Sequence, residues 1–597
     1  MQRVYGYLKK DCGEQYALLF CFLMRTAVEL HRAWHMTLLT SKILQKVKDK
    51  FDLRMTWTLG VVQLRFRCED GGHQLHRKVP FDYDSEYQDL YFRIAEALVE
   101  GHIDVHQALI FQAETKEGKH TARSGRFLRD FPGRVILYPL EAATCAVIFF
   151  GGDHMDFCVS LLTGLAAGLI DYGLGFVRSE AKVLLDVLVG ISTGVIGGLW
   201  YRYNGEDICL ASIFLGTLYW FFYGTAFVLG FLEIIAGELQ AGVTRFVAVS
   251  IKTFVLSLGA GFGMMITLEN STESWLAQEK NCGRIDLDEE WWRIPMYLAC
   301  SVTVLGQYKL PIMQYWRGLV VMLVAYEVQY QSMKWAEERH KGDNLDVAAS
   351  NVLGAAAAVV AACILAYFVD RLRRHYFYAR LLQRKKGDVS KCGRCMFGLM
   401  AMGVKGSDML CLGRHSDVEK LELERKFQKK GTNENLELNE KEEGILLEAI
   451  VSSSNINIWA ILMPAVYQLV PGSMIAKLWF NSIFPPPLIE KEMPIVGTNS
   501  TYIAYKLDEN KNNTFSNLLV ISTSLSLGLI FGFAIVQGLE KILSCVVGGY
   551  WLERDTCDNL YFSPNNDPKD AITPQADENG EAEQIASTET KGDMEMI

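Results

Sequence analysis

Residues 463 to 477 read MPAVYQLVPGSMIAK inside an apolar run long enough to cross a bilayer, so Pro471 and Gly472 interrupt a helix where hydrocarbon offers no water to freed amides. Irregular backbone survives at that depth where it packs in protein or lines a polar cavity, so the break reads as a site. A second run, FLGTLYWFFYGTAFVLGFLEIIAG (214 to 237), carries Gly216, Gly224 and Gly230. Glycine in a helix interior costs about 1 kcal/mol relative to alanine and proline about 3, so both runs are weak helices. A broken helix presents N–H groups and a positive dipole end to a carboxylate, and freed carbonyls to an ammonium or cation. Gly224, Thr225, Pro471, Gly472 and Ser473 are therefore the candidate substrate-binding residues, for an amino acid or an organic acid.

Charges within apolar runs are the second source of chemistry, because they cost a few kcal/mol to insert and mark function by default. Asp171 stands beside Tyr172 and Glu327 beside Tyr326. A carboxyl in a low-dielectric interior favours its neutral form, so either residue is suited to carry a coupling proton, unless it reaches headgroups from a helix end. Asp186 lies deeper than Lys182 and either pairs with Lys252 or stands alone, while Lys252 is placed to snorkel. Glu141, early in its run, suits a structural pairing as well as transport.

Other chemistries find little support. His102 and His106 have the spacing of a metal pair on one helix, but Asp104 between them fits the N-cap of a new helix. His31, His35 and His120 add no pattern, and no nucleophile elbow, metalloprotease pair or phosphate loop occurs. Cys392, Cys395, Cys411 and His415 have a zinc-ribbon spacing that equally suits an interfacial helix with acylated cysteines. No metal or cofactor is assigned. The remaining cysteines of the 14 scatter without a framework and read mostly as small apolar residues.

The elements that must hold these groups follow from composition. The chain has 597 residues, 50% hydrophobic, with a net charge of −10 carried largely by acidic stretches at 269 to 290 and 554 to 597. That charge argues nothing about nucleic acid, and no basic, aromatic-interleaved patch occurs, while the hydrophobic composition and repeated apolar runs point to a multi-pass membrane protein. YALLFCFLM (16 to 24) is too short to span and reads as part of a helix. Residues 1 to 134 read as a small α+β domain: one helix through AVELHRAWHMTLLTSKILQKVKDKF, a strand in WTLGVVQLRFRC, and helical sequence from 86 to 113 with Gly101 as a stop and Asp104 as a cap.

Ten apolar runs follow, near 135 to 152, 155 to 177, 183 to 201, 208 to 235, 242 to 268, 293 to 308, 311 to 331, 345 to 369, 457 to 480 and 517 to 543. The basic cluster RLRRHYFYARLLQRKK (371 to 386) places itself and both termini in the cytoplasm. The glycosylation candidates Asn270, Asn499 and Asn512 then fall outside or in a lumen, in agreement. The insertion 371 to 456 and the acidic tail 544 to 597 read as solvated segments.

A constant offset aligns Gly152 with Gly306, Gly164 with Gly318, Leu169 with Leu323 and Tyr172 with Tyr326. Five spans per repeat is odd, so the second copy (293 to 543) enters the membrane opposite to the first (135 to 268), with 269 to 292 as an outer loop. Such inverted halves can tilt in two equivalent ways, which is alternating access.

These residues resemble the threonine/serine exporter family and its eukaryotic pheromone-regulated membrane protein relatives, over about 25 to 268 and 293 to 543. FFGGDHMDFCVSLLTGLAAG is similar to the family's Gly-Gly turn with a following Asp, here Gly151, Gly152 and Asp156. FLEIIAGELQAGVTRF resembles its acidic residue, two glycines and arginine, here Glu233, Gly237, Gly242 and Arg245, and QLVPGS its Pro-Gly motif. The first-half Pro-Gly is absent, because Tyr223 precedes Gly224. The resemblance implies proton-driven export of small amino acids, with Asp156 and Glu233 joining Asp171 and Glu327 as proton-coupling candidates and Arg245 fixing a turn. The alternatives are a dicarboxylate or other organic-acid exporter, or a membrane-anchored hydrolase acting through the N-terminal domain.

The expected fold is a mainly α membrane protein with ten transmembrane helices as two inverted five-helix repeats, preceded by a small cytoplasmic α+β domain. The expected partners are a small amino acid or organic acid, protons and the lipid bilayer, in a plasma membrane or endomembrane. The sequence leaves a homo-oligomer open.

Overall fold

The computed structural model describes residues 2–33, 36–60, 63–68, 74–78, 83–101, 103–118, 127–128, 131–175, 183–204, 208–222, 224–269, 282, 290–340, 344–366, 457–470, 478–480, 482–483, 489–494, 501–506 and 514–547, within the unit Met1–Leu552. The chain is mostly helical. Pro471, Gly472, Ser473, Tyr223, Asn270, Asn499, Asn512 and the cluster Cys392, Cys395, Cys411 and His415 lie outside the described residues, as do 371–456 and most of the tail.

The first part holds α1 (Gln2–Cys12), α2 (Glu14–Arg32), α3 (Thr37–Phe51), the strands β1 (Met55–Leu59), β2 (Gln63–Cys68) and β3 (Gln74–Lys78), then α4 (Ser85–Glu100) and α5 (Val105–Lys116). The single helix expected over 27 to 51 is two, because the chain leaves the helix at Ala33 and resumes after Met36 at extended φ and ψ. The single strand expected over 57 to 68 is an antiparallel hairpin with Leu59 opposite Leu64, extended to a third strand by Phe66 opposite Leu75. Gly101 closes α4 at φ 78°, and Asp104 with Gln107 forms a reciprocal capping box on α5, as their types require.

The membrane part comprises α6 (Phe131–Ile148), α7 (His154–Gly175), α8 (Val183–Asn204), α9 (Leu210–Leu218), a 3-10 turn (Tyr219–Phe222), α10 (Gly224–Ile235), α11 (Leu239–Thr267), α12 (Glu290–Gln307), α13 (Ile312–His340), α14 (Asn344–Ile364), α15 (Ile458–Leu469), the hairpin β4 (Ile489–Pro494) and β5 (Thr501–Lys506), and α16 (Thr514–Val547). Among the described residues, α7, α8, α11, α14 and α16 are long and apolar enough to cross a membrane, and α9 with α10 make a sixth if taken as one bent span. The ten expected spans are thus not all reached: α6 and α15 offer shorter apolar stretches, and α12 and α13 carry Arg293, Arg317 and Glu327 along their length. Large apolar side chains such as Leu169, Leu199, Ile251, Phe262, Leu353 and Phe531 face outward, as a lipid-bathed surface requires. The chain is a multi-pass integral membrane protein.

Small residues set the closest helix crossings. Gly190 and Gly194 on α8 face Gly259 and Gly263 on α11, and a Cβ at Gly263 would lie 2.5 Å from the Ile191 carbonyl oxygen. On the other side of the chain Gly528 and Gly532 of α16 press on α14, where a Cβ at Gly528 would lie 2.5 Å from the Val352 carbonyl oxygen. Hydrocarbon gives helices no hydrophobic reason to associate, so close backbone contact across small-xxx-small faces supplies the attraction. Gly263→Leu is expected to destabilise the solubilised protein by about 1–3 kcal/mol through overpacking, read as a lower thermal midpoint. An unchanged midpoint would show that the two backbones are not in contact.

Candidate functional site

The fourth apolar run is broken. After nine helical residues α9 tightens into the 3-10 turn, and α10 departs at 48° beyond residue 223. At 1.5 Å per residue α9 is only ~14 Å long and α15, with twelve residues, ~18 Å, so each reaches roughly half-way through a hydrocarbon core of about 30 Å. Val470 leaves α15 with extended backbone one residue before Pro471.

Aromatic and polar side chains gather where these short helices end. The Tyr467 ring of α15 lies 4.9 Å from Tyr219, 5.4 Å from Trp220 and 5.7 Å from Tyr308, all edge-on, and Trp220 meets Tyr308 at 5.5 Å. The Tyr219 hydroxyl donates to the Tyr467 carbonyl at 3.3 Å, and the Tyr467 hydroxyl donates to Glu141 Oε1 of α6 at 3.1 Å. Thr225, in the first turn of α10, shares a hydrogen bond of 3.1 Å with the Tyr308 hydroxyl. Ser301 of α12 and Gln468 bond each other beside the thiols of Cys145 and Cys300, which lie 3.4 Å apart. Gln307 lies close to Glu141, yet neither Glu141 Oε2 nor Gln307 Nε2, both buried, completes a hydrogen bond of normal geometry. Of the residues singled out in the sequence, Gly224, Thr225 and Glu141 belong to this cluster. The aromatic box itself is not legible in the sequence: its members come from three separate stretches, and only the break at Gly224 marks the place.

The other acidic candidates are engaged elsewhere. Asp156 accepts from the backbone N–H of Asp153 at 2.9 Å and of Cys209 at 3.0 Å, so it closes the first turn of α7 and anchors the start of α9. Gly151 turns the chain there at φ 65°, and Gly152 approaches Ser212 too closely for a side chain. Cys209 is disulfide-bonded to Cys282, a pairing that no cysteine framework in the sequence announces. Asp171 accepts from the Tyr138 hydroxyl at 3.2 Å, while Glu327 pairs with Arg293 at 3.0 Å, whose guanidinium stacks 3.8 Å over the Tyr330 ring. Asp171 and Glu327 thus serve different partners.

Glu233 and Arg245 form a fully buried two-point ion pair, Nε to Oε2 at 3.0 Å and Nη2 to Oε1 at 2.8 Å. Gly237, at φ 93°, and Gly242, pressed against the Gly230 carbonyl, bring α10 and α11 close enough for it. Glu233 also accepts from the backbone N–H and the hydroxyl of Thr37, and so caps the N-terminus of α3. Three further contacts join the amino-terminal part to the membrane helices. Ser85 N–H donates to the Tyr308 carbonyl at 2.9 Å, Asn457 N–H donates to Asp89 at 3.0 Å, and the Tyr83 ring meets Tyr308 at 5.1 Å and Trp220 at 5.6 Å. Burial pushes the Tyr83 hydroxyl well above the usual phenol range, so it stays neutral as the floor of the aromatic box.

Known proteins resemble part of this region. Residues 131–267, from α6 to the end of α11, match the family described as "Putative threonine/serine exporter", a family of exporters rather than of enzymes. Pheromone-regulated membrane protein 10 of Saccharomyces cerevisiae is 27% identical over 214 residues, 34% of this chain and 51% of that protein. The proteins of the same name from Pichia sorbitophila, 26% identical over 201 residues (32% and 19%), and Zygosaccharomyces rouxii, 24% over 210 residues (34% and 20%), are also similar. The chain therefore spans about half the length of the first of these relatives and about a fifth of the other two. No solved structure matches.

Proposed function

We propose that this chain, which carries a threonine/serine exporter domain over residues 131–267, is a secondary active transporter that exports small amino acids by alternating access, driven by protons. The observation that carries the reading is the pair of half-length helices, α9 and α15, ending against one polar and aromatic cluster inside the membrane part. Substrate rests there, between the first turn of α10 at Gly224 and Thr225 and the end of α15, which runs on into Pro471, Gly472 and Ser473.

Ten spans in two inverted halves give this site its two exits. The support is a correspondence of neighbours: α8 packs on α11 as α14 packs on α16, and α9 touches α7 and α8 as α15 touches α13 and α14. Orientation has support too. Glu233, Tyr308, Gln314 and Asn457, which the ten-span topology puts at the cytoplasmic ends of their helices, all meet the amino-terminal part. Cys209 and Cys282 fall on the opposite, oxidising side, where a disulfide persists.

The full chain in proteoliposomes under an imposed pH gradient tests the reading: saturable efflux of serine or threonine is expected. Thr225→Val should slow it roughly 2- to 10-fold, the worth of one neutral hydrogen bond. Efflux that never saturates, or that ignores the gradient, would leave a channel in place of an exporter.

A further inference from the structure

Two cysteines meet at the joint between α1 and α2. The sulfurs of Cys12 and Cys68 lie 3.9 Å apart, although 56 positions separate them in the chain. Cys68 ends β2, is paired with Met55 and is fully buried, so the sheet fixes it. Cys12 ends α1, is half-buried, and stands one residue before Gly13, which turns the chain into α2 at φ 92°. Beyond the buried Leu8, α1 is held to Glu14 by Tyr5 and Lys9 through exposed contacts, which are worth little. The Tyr16 hydroxyl donates to the Arg54 carbonyl at 2.8 Å, which commits its one proton. At 3.2 Å from Cys68 its oxygen therefore accepts from the thiol and holds that sulfur in place beside Cys12.

We propose that Cys12 and Cys68 form a modification site, a peroxide-reactive pair that closes to a disulfide and pins α1 to the sheet. The oxidant is a hydroperoxide, of which hydrogen peroxide is the simplest. Cys12, the accessible sulfur, attacks as its thiolate; the O–O bond breaks, one oxygen stays on sulfur as a sulfenic acid, and the other leaves as water after taking up a proton. Cys68 then displaces the remaining oxygen: the S–S bond forms, the S–O bond breaks, and the Cys68 proton departs with the hydroxyl as water. The thiols are oxidised to the disulfide and the peroxide is reduced to water. A bond of about 2.05 Å requires the sulfurs to approach, a shift that α1 can make about Gly13 while β2 stays paired. Access, and not proximity alone, selects this pair. Cys145 and Cys300 lie closer, at 3.4 Å, but both are fully buried among the membrane helices, out of reach of an aqueous oxidant.

The test is hydrogen peroxide applied to the full, reduced chain in detergent, followed by thiol alkylation and peptide mapping without reductant. The expected product is a peptide pair joined through Cys12 and Cys68, lighter by the two hydrogens lost, with both thiols withdrawn from alkylation and restored by a dithiol reductant. Cys145 and Cys300 should still alkylate once the protein is unfolded. Amide hydrogen exchange across α1 should slow on closure. Cys68→Ser should leave the sulfenic acid standing on Cys12, where dimedone traps it, whereas Cys12→Ser should leave Cys68 unmodified. Cys12 and Cys68 both still open to alkylation after peroxide overturn the proposal, as does Cys12 joined to another cysteine in preference to Cys68. Exchange across α1 unchanged in the joined protein overturns the pinning. Mapping on the unaltered chain decides the matter should Cys68→Ser not fold.

Discussion

Glu233→Ala is expected to destabilise the full chain by about 3–5 kcal/mol, because it strands the Arg245 guanidinium in the interior without a counter-charge. Arg245 is about 1% exposed and Glu233 fully buried, so water cannot substitute for the lost partner. The same substitution uncaps α3, since Thr37 N–H and hydroxyl both donate to Glu233. Thermal unfolding of the detergent-solubilised chain reads the loss directly. Replacing both partners with apolar residues, Glu233→Leu with Arg245→Met, should recover most of it, because the cost lies in the orphaned charge and not in a missing attraction. A single variant as stable as the wild type would mean that the pair is open to solvent.

Removing the Cys209–Cys282 disulfide should cost about 2–4 kcal/mol, as expected for a cross-link closing a long loop, here a separation of 73 residues. Cys209 is also the N-cap of α9, and Asp156 accepts from its N–H, so the cross-link ties Cys282 to the start of the helix that leads to the aromatic box. With Cys209→Ser, the freed Cys282 thiol should react with a membrane-impermeant maleimide applied to intact cells from the non-cytoplasmic face. Labelling seen only after permeabilisation of the plasma membrane, in a protein shown to reside there, would reverse the topology proposed above.

The sequence was most legible where a residue type answers to its own neighbourhood. Gly101 and Asp104 announce a helix end and a helix start by their backbone chemistry alone, and Gly224 marks the break of the fourth run. It was least legible where meaning depends on distant partners. Glu141 suits pairing and transport equally in the sequence, and only the fold shows that Tyr467, far along the chain, donates to it. Asp171 and Glu327 looked like a symmetric pair beside matched tyrosines, yet one meets a phenol and the other a guanidinium, which no alignment of halves reveals. Cys209 and Cys282 lie in unlike contexts, a helix cap and a polar loop, so spacing could not pair them. The hairpin at 55–68 reads as one strand in the sequence because its alternation continues through Gly60.

Tyr83, Ser85 and Asp89 occupy barely two turns of the amino-terminal part, yet between them they touch the 3-10 turn after α9, the end of α12 and the start of α15. Whatever displaces that short stretch is felt by three membrane helices together. If cargo moves as proposed, any change in the amino-terminal part that shifts the largely buried α4 acts as a remote brake, halting traffic through the bilayer without entering it.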